Sequence, residues 1–247
     1  MSSGYSIRMT DFRDWRPRPR PERATLTGRF CRLEPLEPAR HGDELFAAAM
    51  APGAEDRFRY LSEEPQDRTA FETWLARAAE SPDPLFFAVI DAASGRCEGR
   101  QSLMRITPEH GVIEVGHVLW GPAIARTRVA TEALFLHARY IFEALGYRRF
   151  EWKCNARNDP SRRAAERFGF QYEGTFRQHM VQKGQSRDTT WFAMLDTDWP
   201  AIRAAFERWL APENFDGQGR QRSRLADLRS REPAGTSPAS LVHPFTR

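Results

Sequence analysis

The sequence has few cysteines, almost no lysine and no long apolar run, and each shortage excludes a class of protein. The cysteines Cys31, Cys97 and Cys154 are odd in number and far apart. This spacing argues against a disulfide framework or zinc site and for reduced thiols in a cytoplasmic setting. No apolar stretch approaches the ~20 residues of a membrane span, and the N-terminus lacks a signal-peptide core. We therefore expect a cytoplasmic protein without a metal cofactor or a membrane partner.

Arginine supplies nearly all of the positive charge, because only Lys153 and Lys183 are lysines among 37 basic residues. Many arginines lie in two segments with few core-forming residues, which we expect to be a flexible Arg/Pro-rich arm over 1–23 and a flexible tail over 211–247. The intervening residues 24–210 are long enough for one domain with a hydrophobic core. An Arg-rich RNA-associated protein is an alternative. Because basic and acidic residues intermix in the core without a stacking motif, we expect no nucleic-acid partner.

Apolar periodicity divides the domain into strands and helices. The predicted strands cover 25–36, 85–90, 97–106, 112–120, 149–154, 170–178 and 189–195, and the predicted helices cover 38–50, 66–80, 127–145, 160–168 and 199–210. Residues 85–120 read as an antiparallel meander, and residues 112–154 read as a strand–helix–strand unit. This order indicates the α+β class.

The stretch from Val112 to Leu145 carries the strongest functional signal. Its apolar strand ends at a Gly121-Pro122 break, and a turn containing Arg126 and Arg128 then opens a long amphipathic helix. The first turn of a helix has unpaired N–H groups, and its dipole favours negative charge. The turn is therefore predicted to hold the pyrophosphate of a nucleotide-containing cofactor. The alternative is that both arginines are exposed residues at a helix start.

Short motifs between residues 99 and 177 resemble one enzyme family. They are Gly99-Arg-Gln-Ser-Leu103, Glu114-Val-Gly-His117, Ala130-Thr-Glu-Ala133, Phe142-x-x-Leu145-Gly146-Tyr147, Asn155-x-x-Asn158-x-x-Ser161 continuing to Phe168-Gly169-Phe170, and Glu173-Gly174-x-x-Arg177. In this ordered set the sequence resembles the GNAT acyl-CoA N-acyltransferases, and within them the ribosomal-protein N-terminal acetyltransferases. The resemblance implies a GNAT-like α+β fold with a mixed, mostly antiparallel sheet flanked by helices. It also implies acetyl-CoA (coenzyme A) as co-substrate and an amine acceptor.

The resemblance assigns a cofactor-binding set. The set comprises Val118, Leu119, Trp120, Arg126, Arg128, Val129, Ala130, Thr131 and Asn158. Main-chain N–H groups in the first part of this set would stabilise an oxyanion, and those from Arg126 onward would cradle phosphates. Asn158 would bind the pantetheine arm, and Ser161 would donate a hydrogen bond to the departing sulfur. Ordinary helix capping by Asn158 and Ser161 is the alternative.

The predicted pyrophosphate loop departs from the family pattern at three positions. The family usually has glycines where this sequence has Arg126 and Arg128, and its leading Gln or Arg falls at Ala123. Glycine permits a close approach of the backbone to phosphate, whereas arginine supplies charge and side-chain donors. We still expect coenzyme A to bind.

Several residues could move protons during acyl transfer. Glu114 is the first choice as general base, because a carboxylate on a central apolar strand is costly unless paired and burial raises its pKa. The alternative is a structural ion pair with an arginine. Glu151 is the second candidate, although it lies beside Lys153 and could form only a cross-strand pair. His117 is a further candidate base, and Tyr172 is a weaker candidate acid.

The expected function is acetyl-CoA-dependent N-acetylation of a primary amine by direct attack, without an acyl-enzyme. A protein or peptide N-terminus as acceptor follows from the family branch alone, and a small amine is equally compatible. A fold relative with little turnover, or one with a different acyl donor, is the alternative. The residues over 38–80 and the final hairpin are expected to wall the pocket, and the 170–195 hairpin and the tails could make a homodimer.

Overall fold

The computed structural model describes residues 11–229, so residues 1–10 of the predicted arm and 230–247 of the predicted tail lie outside the described range. The strands are β1 (Leu26–Thr27), β2 (Cys31–Pro35), β3 (Leu85–Asp91), β4 (Cys97–Thr107), β5 (Val112–Trp120), β6 (Arg149–Asn155), β7 (Gln171–Gln182) and β8 (Gln185–Leu195). The helices are α1 (Pro38–Met50), α2 (Ala54–Phe58), α3 (Arg68–Glu80), α4 (Arg128–Arg139), α5 (Asp159–Phe168), α6 (Trp199–Leu210) and α7 (Leu225–Arg229). The α+β class is confirmed, and α2 and α7 were not predicted.

The strands form one sheet of eight in the order β1-β2-β3-β4-β5-β6-β8-β7. Among the strands of residues 11–229, only β5 and β6 run parallel, and every other neighbouring pair is antiparallel. The crossover that a parallel pair requires is supplied by α4. The predicted mixed, mostly antiparallel sheet is therefore confirmed, and the parallel pair lies in its interior, two strands from the β7 edge.

Helices cover both faces of the sheet, which explains why β3 is an uninterrupted apolar run. Phe86, Ala88 and Ile90 face the cluster formed with α1 and α3. Phe87 and Val89 face the larger cluster formed with α4, α5 and α6. Successive side chains of a strand point to opposite faces, so a strand covered on both sides must be apolar at every position.

Two helix boundaries show how local chemistry sets the crossover and the following helix. Thr127 caps α4, and its hydroxyl accepts a hydrogen bond from the N–H of Val129 at 3.1 Å. The N-cap of α5 is Asn158 and not Asp159 as predicted, because the Asn158 side chain accepts from the N–H of Ser161 at 3.2 Å. Asn and Asp are comparable N-caps, so sequence preference alone could not choose between the two positions.

The last hairpin corrects the predicted polar turn over 182–188. β7 and β8 extend through most of that segment and are joined by Lys183 and Gly184, whose φ angles are +51° and +72°. Two positive φ angles are typical of the two-residue type I′ turn, which matches the twist of the flanking strands. Because β7 is an exposed edge strand, its polar sequence resembles a loop.

Packed structure extends on both sides of the predicted domain limits at 24 and 210. Trp15 donates its indole N–H to the carbonyl of Glu109 at 2.7 Å. Leu225 and Leu228 of α7 are buried in the main core cluster. The apolar segments around Trp15 and in α7 are too short to show a periodic pattern in the sequence. Over residues 11–229, no helix has the length and apolar character needed to cross a membrane.

Candidate active site

A cleft opens where the two parallel strands separate. β5 and β6 pair from Val112 opposite Arg149 to Val115 opposite Trp152, and β5 then continues to Trp120 without β6 beside it. The cleft has a volume of about 800 Å³. Its walls at the split are Gly116, His117 and Val118 on one strand and Lys153, Cys154 and Asn155 on the other. On the edges that face each other across the cleft, the separated parts of β5 and β6 have backbone N–H and C=O groups without a neighbouring strand. These groups suit an extended ligand that lies between the two strands.

One end of the cleft meets the N-terminus of α4. Arg126 lines the cleft and has φ +64°, so it adopts the left-handed conformation in which glycine is favoured. Within the described residues, the N–H groups of Arg126, Arg128 and Ala130 have no hydrogen-bond acceptor. Three unpaired N–H groups at a helix start form an anion-binding arrangement. The residues present therefore fit a diphosphate, even though arginines replace the family glycines.

The side chain of Arg128 does not line the cleft. Its guanidinium lies 4.7 Å from the centre of the Phe30 ring and 5.6 Å from that of Phe215. These cation–π contacts join α4 to the β1–β2 turn and to the segment after α6. Only the main chain of Arg128 is placed for cofactor binding.

The other predicted loop residues fall into two groups. Val118 lines the cleft, whereas Leu119 is buried in the cluster with Ala49 and Phe58. The indole of Trp120 donates to the side-chain oxygen of Gln101 at 3.3 Å.

Val129 and Ala130 are buried in α4. The hydroxyl of Thr131 donates to the carbonyl of Thr127 at 3.0 Å and accepts from Arg167 at 3.2 Å. Apart from Val118 and Arg126, the loop residues of the predicted set can therefore reach a ligand only through main-chain groups.

Asn158 and Ser161 line the cleft on the α5 side. The Ser161 Oγ accepts a hydrogen bond from the indole N–H of Trp152 at 2.9 Å and lies beside the Cys154 side chain. Capping and ligand contact are compatible for this pair, since the Asn158 amide nitrogen takes no part in the cap. Burial raises the pKa of the neighbouring Cys154 thiol, which disfavours a cysteine nucleophile.

Glu114 is buried and ion-paired, and it also lines the cleft. Its Oε2 accepts from Arg105 at 2.8 Å and lies 3.0 Å from the ammonium of Lys153. The ion pair raised as an alternative is therefore present. In the described structure Oε1 of Glu114 has no partner, so one oxygen remains free for a ligand.

Glu151 does not line the cleft. Its carboxylate lies 2.7 Å from Lys153 and accepts from Arg149 at 2.7 Å. Burial alone would raise its pKa, but the hydrogen bonds from Lys153 and Arg149 outweigh burial, and the pKa of Glu151 is lowered. Tyr172 is exposed, and its hydroxyl contacts Thr175 outside the cleft.

His117 has a buried carboxylate partner that the sequence did not indicate. Its Nδ1 lies 3.3 Å from Oε1 of Glu63, which also accepts from Arg100 at 3.3 Å. Burial raises the pKa of Glu63, but the hydrogen bond from His117 and the charge of Arg100 outweigh it and hold that pKa well below its ordinary value. Because Glu63 is then an anion, Nδ1 is the donor in this contact, and in a neutral imidazole the other ring nitrogen, Nε2, is an acceptor.

Two separate segments close the far side of the cleft, as the sequence predicted for its walls. Tyr60 lies in the loop that follows α2, called the α2 loop below. Its hydroxyl donates across the cleft to the carbonyl of Arg157 at 3.0 Å. The ammonium of Lys183, in the β7–β8 turn, donates to the carbonyl of Phe58 at 2.9 Å. The hairpin is thereby joined to the α2 loop. Over residues 11–229, no group of His, Cys, Asp and Glu side chains could hold a metal ion.

A split between parallel strands beside a helix N-terminus suits an extended cofactor that carries a diphosphate, as the cofactors of acyl-transfer enzymes do. The acetyltransferase (GNAT) domain matches residues 32–171, so the chain belongs to the GNAT acetyltransferase family. Enzymes of this family use acetyl-CoA.

The chain is similar to several solved acetyltransferases. It is 58% identical to a GCN5-related N-acetyltransferase from Brucella melitensis, covering 87% of this chain and 98% of that one with a TM-score of 0.86. It is 40% identical to a probable GNAT acetyltransferase from Chromobacterium violaceum, covering 81% and 100% with a TM-score of 0.73. A ribosomal L7/L12 α-N-protein acetyltransferase shares the fold at 16% identity, with 70% and 94% coverage and a TM-score of 0.61. Among curated proteins there was no match.

Proposed function

We propose that this enzyme transfers the acetyl group of acetyl-CoA to a primary amine by direct attack of the amine on the thioester. The observation that carries the proposal is the cleft at the β5–β6 split. It runs from the unpaired N–H groups at the start of α4 to a buried carboxylate, Glu114, with one free oxygen. The acceptor would be a small amine or a peptide or protein N-terminus.

The cofactor would lie along the separated part of β5. The N–H groups of Arg126, Arg128 and Ala130 and the Arg126 guanidinium would bind its diphosphate, and Asn158 would hold the pantetheine arm. When bound, acetyl-CoA supplies an activated thioester carbonyl. The reacting carbon would then lie at the split, between Glu114 on one face of the sheet and Ser161 on the other, and both side chains line the cleft.

Each remaining group has one chemical role. Main-chain N–H groups near Val118 would stabilise negative charge on the carbonyl oxygen. Glu114 Oε1 would accept the proton of the amine, directly or through water, and Nε2 of His117 is the second candidate. The hydroxyl of Ser161 would donate to the sulfur as it leaves. The breaking carbon–sulfur bond is then matched by the new carbon–nitrogen bond.

A panel assay tests the proposed function. Purified protein with acetyl-CoA is expected to acetylate at least one class of primary amine, measured by thiol release and by mass spectrometry of the product. Free CoA should raise the melting temperature, because a ligand that binds only the folded state stabilises it. Stabilisation without turnover on any amine would favour the fold relative with little turnover, and turnover only with longer acyl-CoA donors would favour a different donor.

The two loop arginines are expected to differ in their effect on cofactor affinity. Arg126→Gly keeps the left-handed backbone accessible but removes the cleft guanidinium, so CoA should bind about 10-fold more weakly. Arg128→Ala should change CoA affinity less than about 3-fold, because that guanidinium packs on Phe30 and Phe215. Calorimetric titration with CoA and with pantetheine, which lacks the diphosphate, measures the difference. Equal weakening of both ligands by Arg126→Gly would mean that Arg126 does not contact phosphate.

A further inference from the structure

Arg187 of β8 lines the cleft near Glu114, the proposed base, where the acceptor would bind. It lies on the same strand and the same face as Trp191, since the two residues are four positions apart along β8. The Trp191 ring lies 3.7 Å from the ammonium of Lys153, which in turn pairs with Glu114. Arg187 therefore shares a sheet face with the proposed base. Ser161 lies on the opposite face, where Trp152 joins the core under α5.

The guanidinium of Arg187 is largely without partners. Its Nη1 donates to the side-chain oxygen of Gln182 at 2.8 Å. Its Nε is buried and has no acceptor among the described residues. Burial lowers the pKa of Arg187 and outweighs the opposing effects of nearby Cys154 and Glu114, while the charge of Arg105 lowers that pKa further. The group nevertheless stays charged at neutral pH, because an arginine pKa is far above 7.

The carboxylates around Arg187 are already shared by other cations. Glu114 pairs with Arg105 and Lys153, and Glu151 pairs with Lys153 and Arg149. Arg187 forms no ion pair within the described part of the chain. A partly buried guanidinium with unused donors is unfavourable unless an anion completes it.

Arg187 and Arg126 differ in this respect from the other arginines that line the cleft. Arg59 pairs with Asp56 at 2.6 Å, and Arg57 donates to the carbonyls of Ala49 and Pro52. Arg126 is also without an ion-pair partner among the described residues, and it lies where a diphosphate is expected. Arg187 is its counterpart near Glu114, where the acceptor would bind.

We propose that Arg187 binds a carboxylate of the acceptor, so that the substrate is a primary amine with a carboxylate close to its amino group. The proposal rests on the proposed acetyl transfer to an amine. A guanidinium matches a carboxylate in a two-bond arrangement, and Glu114 on the same face can receive the amino group. Two kinds of molecule carry this chemistry: free amino acids, and peptides whose first residue is Asp or Glu.

Matched ligand pairs test the proposal without requiring turnover. Each pair differs only in the carboxylate: a free amino acid against its amide, and a tripeptide beginning with Asp against one beginning with Asn. Their affinities for the protein saturated with CoA are measured by calorimetry, and KM and kcat are measured with acetyl-CoA. In at least one arm the carboxylate member should bind about 10- to 100-fold more tightly, as expected for a hydrogen-bonded charge. The arm that discriminates identifies the source of the carboxylate.

Substitutions at Arg187 test whether this residue causes the preference for the ligand with the carboxylate. Arg187→Gln should remove most of the preference by weakening the carboxylate member about 10- to 100-fold, through KM and not kcat, while the neutral member changes less than about 2-fold. Arg187→Lys keeps the charge without the planar fork and should recover part of the preference. Arg203→Gln is the control. Arg203 lies on α6, where it pairs with Glu143 and Glu207, and it does not line the cleft.

The outcomes separate this inference from the proposed function. Equal binding of both members in both arms, or equal loss for both in Arg187→Gln, would overturn the role of Arg187. Selective binding that depends on Arg187 would support the carboxylate site even if no acetylated product formed, and in that case the proposed transfer alone would fail.

Discussion

Glu114→Gln is expected to lower kcat by about 100-fold or more, with CoA affinity within about 2-fold of the native enzyme. A general base contributes about 10²- to 10⁴-fold to a proton-transfer step, and an amide cannot accept the proton of the amine. CoA affinity should persist because the diphosphate site lies at the start of α4, beyond the end of β5, whereas Glu114 lies in the part of β5 that pairs with β6. Steady-state kinetics with the best amine of the panel and calorimetry with CoA measure the two effects.

Glu151→Gln is the matched control for Glu114→Gln. It also removes one negative charge from Lys153 and is similarly buried, but Glu151 does not line the cleft. Both variants should be less stable than the native enzyme, whereas only Glu114→Gln should have a lower kcat. Equal losses of kcat would mean that Glu114 acts through the ion-pair network and not as a base.

The pH profile separates Glu114 from His117. The fall of kcat/KM at acid pH reports protonation of the base in the free enzyme. If Glu114 is the base, that fall should disappear in Glu114→Gln and persist in His117→Asn, which tolerates the positive φ of +48° at this position. The reverse pattern would assign the proton to His117, whose imidazole Glu63 orients.

Glu132→Ala is expected to destabilise the protein by about 3–6 kcal/mol, a large share of the roughly 5–15 kcal/mol of a typical domain. The buried carboxylate of Glu132 on α4 accepts from the N–H groups of Arg29, Phe30 and Cys31 at 2.9, 2.5 and 2.8 Å. Its removal leaves these N–H groups without an acceptor and opens a cavity between α4 and the β1–β2 turn. Denaturation by urea, followed by circular dichroism, measures the loss.

Glu207→Ala is the control for Glu132→Ala. Glu207 is an exposed carboxylate on α6 that pairs with Arg203, and such pairs contribute about 0–1 kcal/mol. The loss of unfolding free energy in Glu132→Gln should lie between those of Glu132→Ala and Glu207→Ala. The amide oxygen can still accept a hydrogen bond, but the NH₂ group faces N–H donors. A loss below about 1 kcal/mol in Glu132→Ala would show that the turn finds other acceptors.

Comparison of particular elements shows why some of the structure was predictable. β5 matches its predicted bounds because it is an apolar run that ends at the Gly121-Pro122 break, and α6 matches because its apolar residues recur with a period near 3.6. Gly169, with φ +102°, ends α5 as predicted because a left-handed residue at that position favours glycine. The predicted strand over 170–178 ends too early for β7, which continues to Gln182, because the exposed polar residues of β7 show no apolar period.

The sequence by itself determined the α+β order of elements, the strand–turn–helix that forms the anion-binding end of the cleft, and the family, because these depend on neighbours a few residues apart. Only the tertiary structure decided what each charged side chain meets. It turned Arg128 onto Phe30, paired Glu114 with Lys153, brought Glu63 to His117, and left Arg187 without an ion-pair partner among the described residues. Charge pairing is a short-range interaction in space between residues distant in sequence, so neither composition nor periodicity records it.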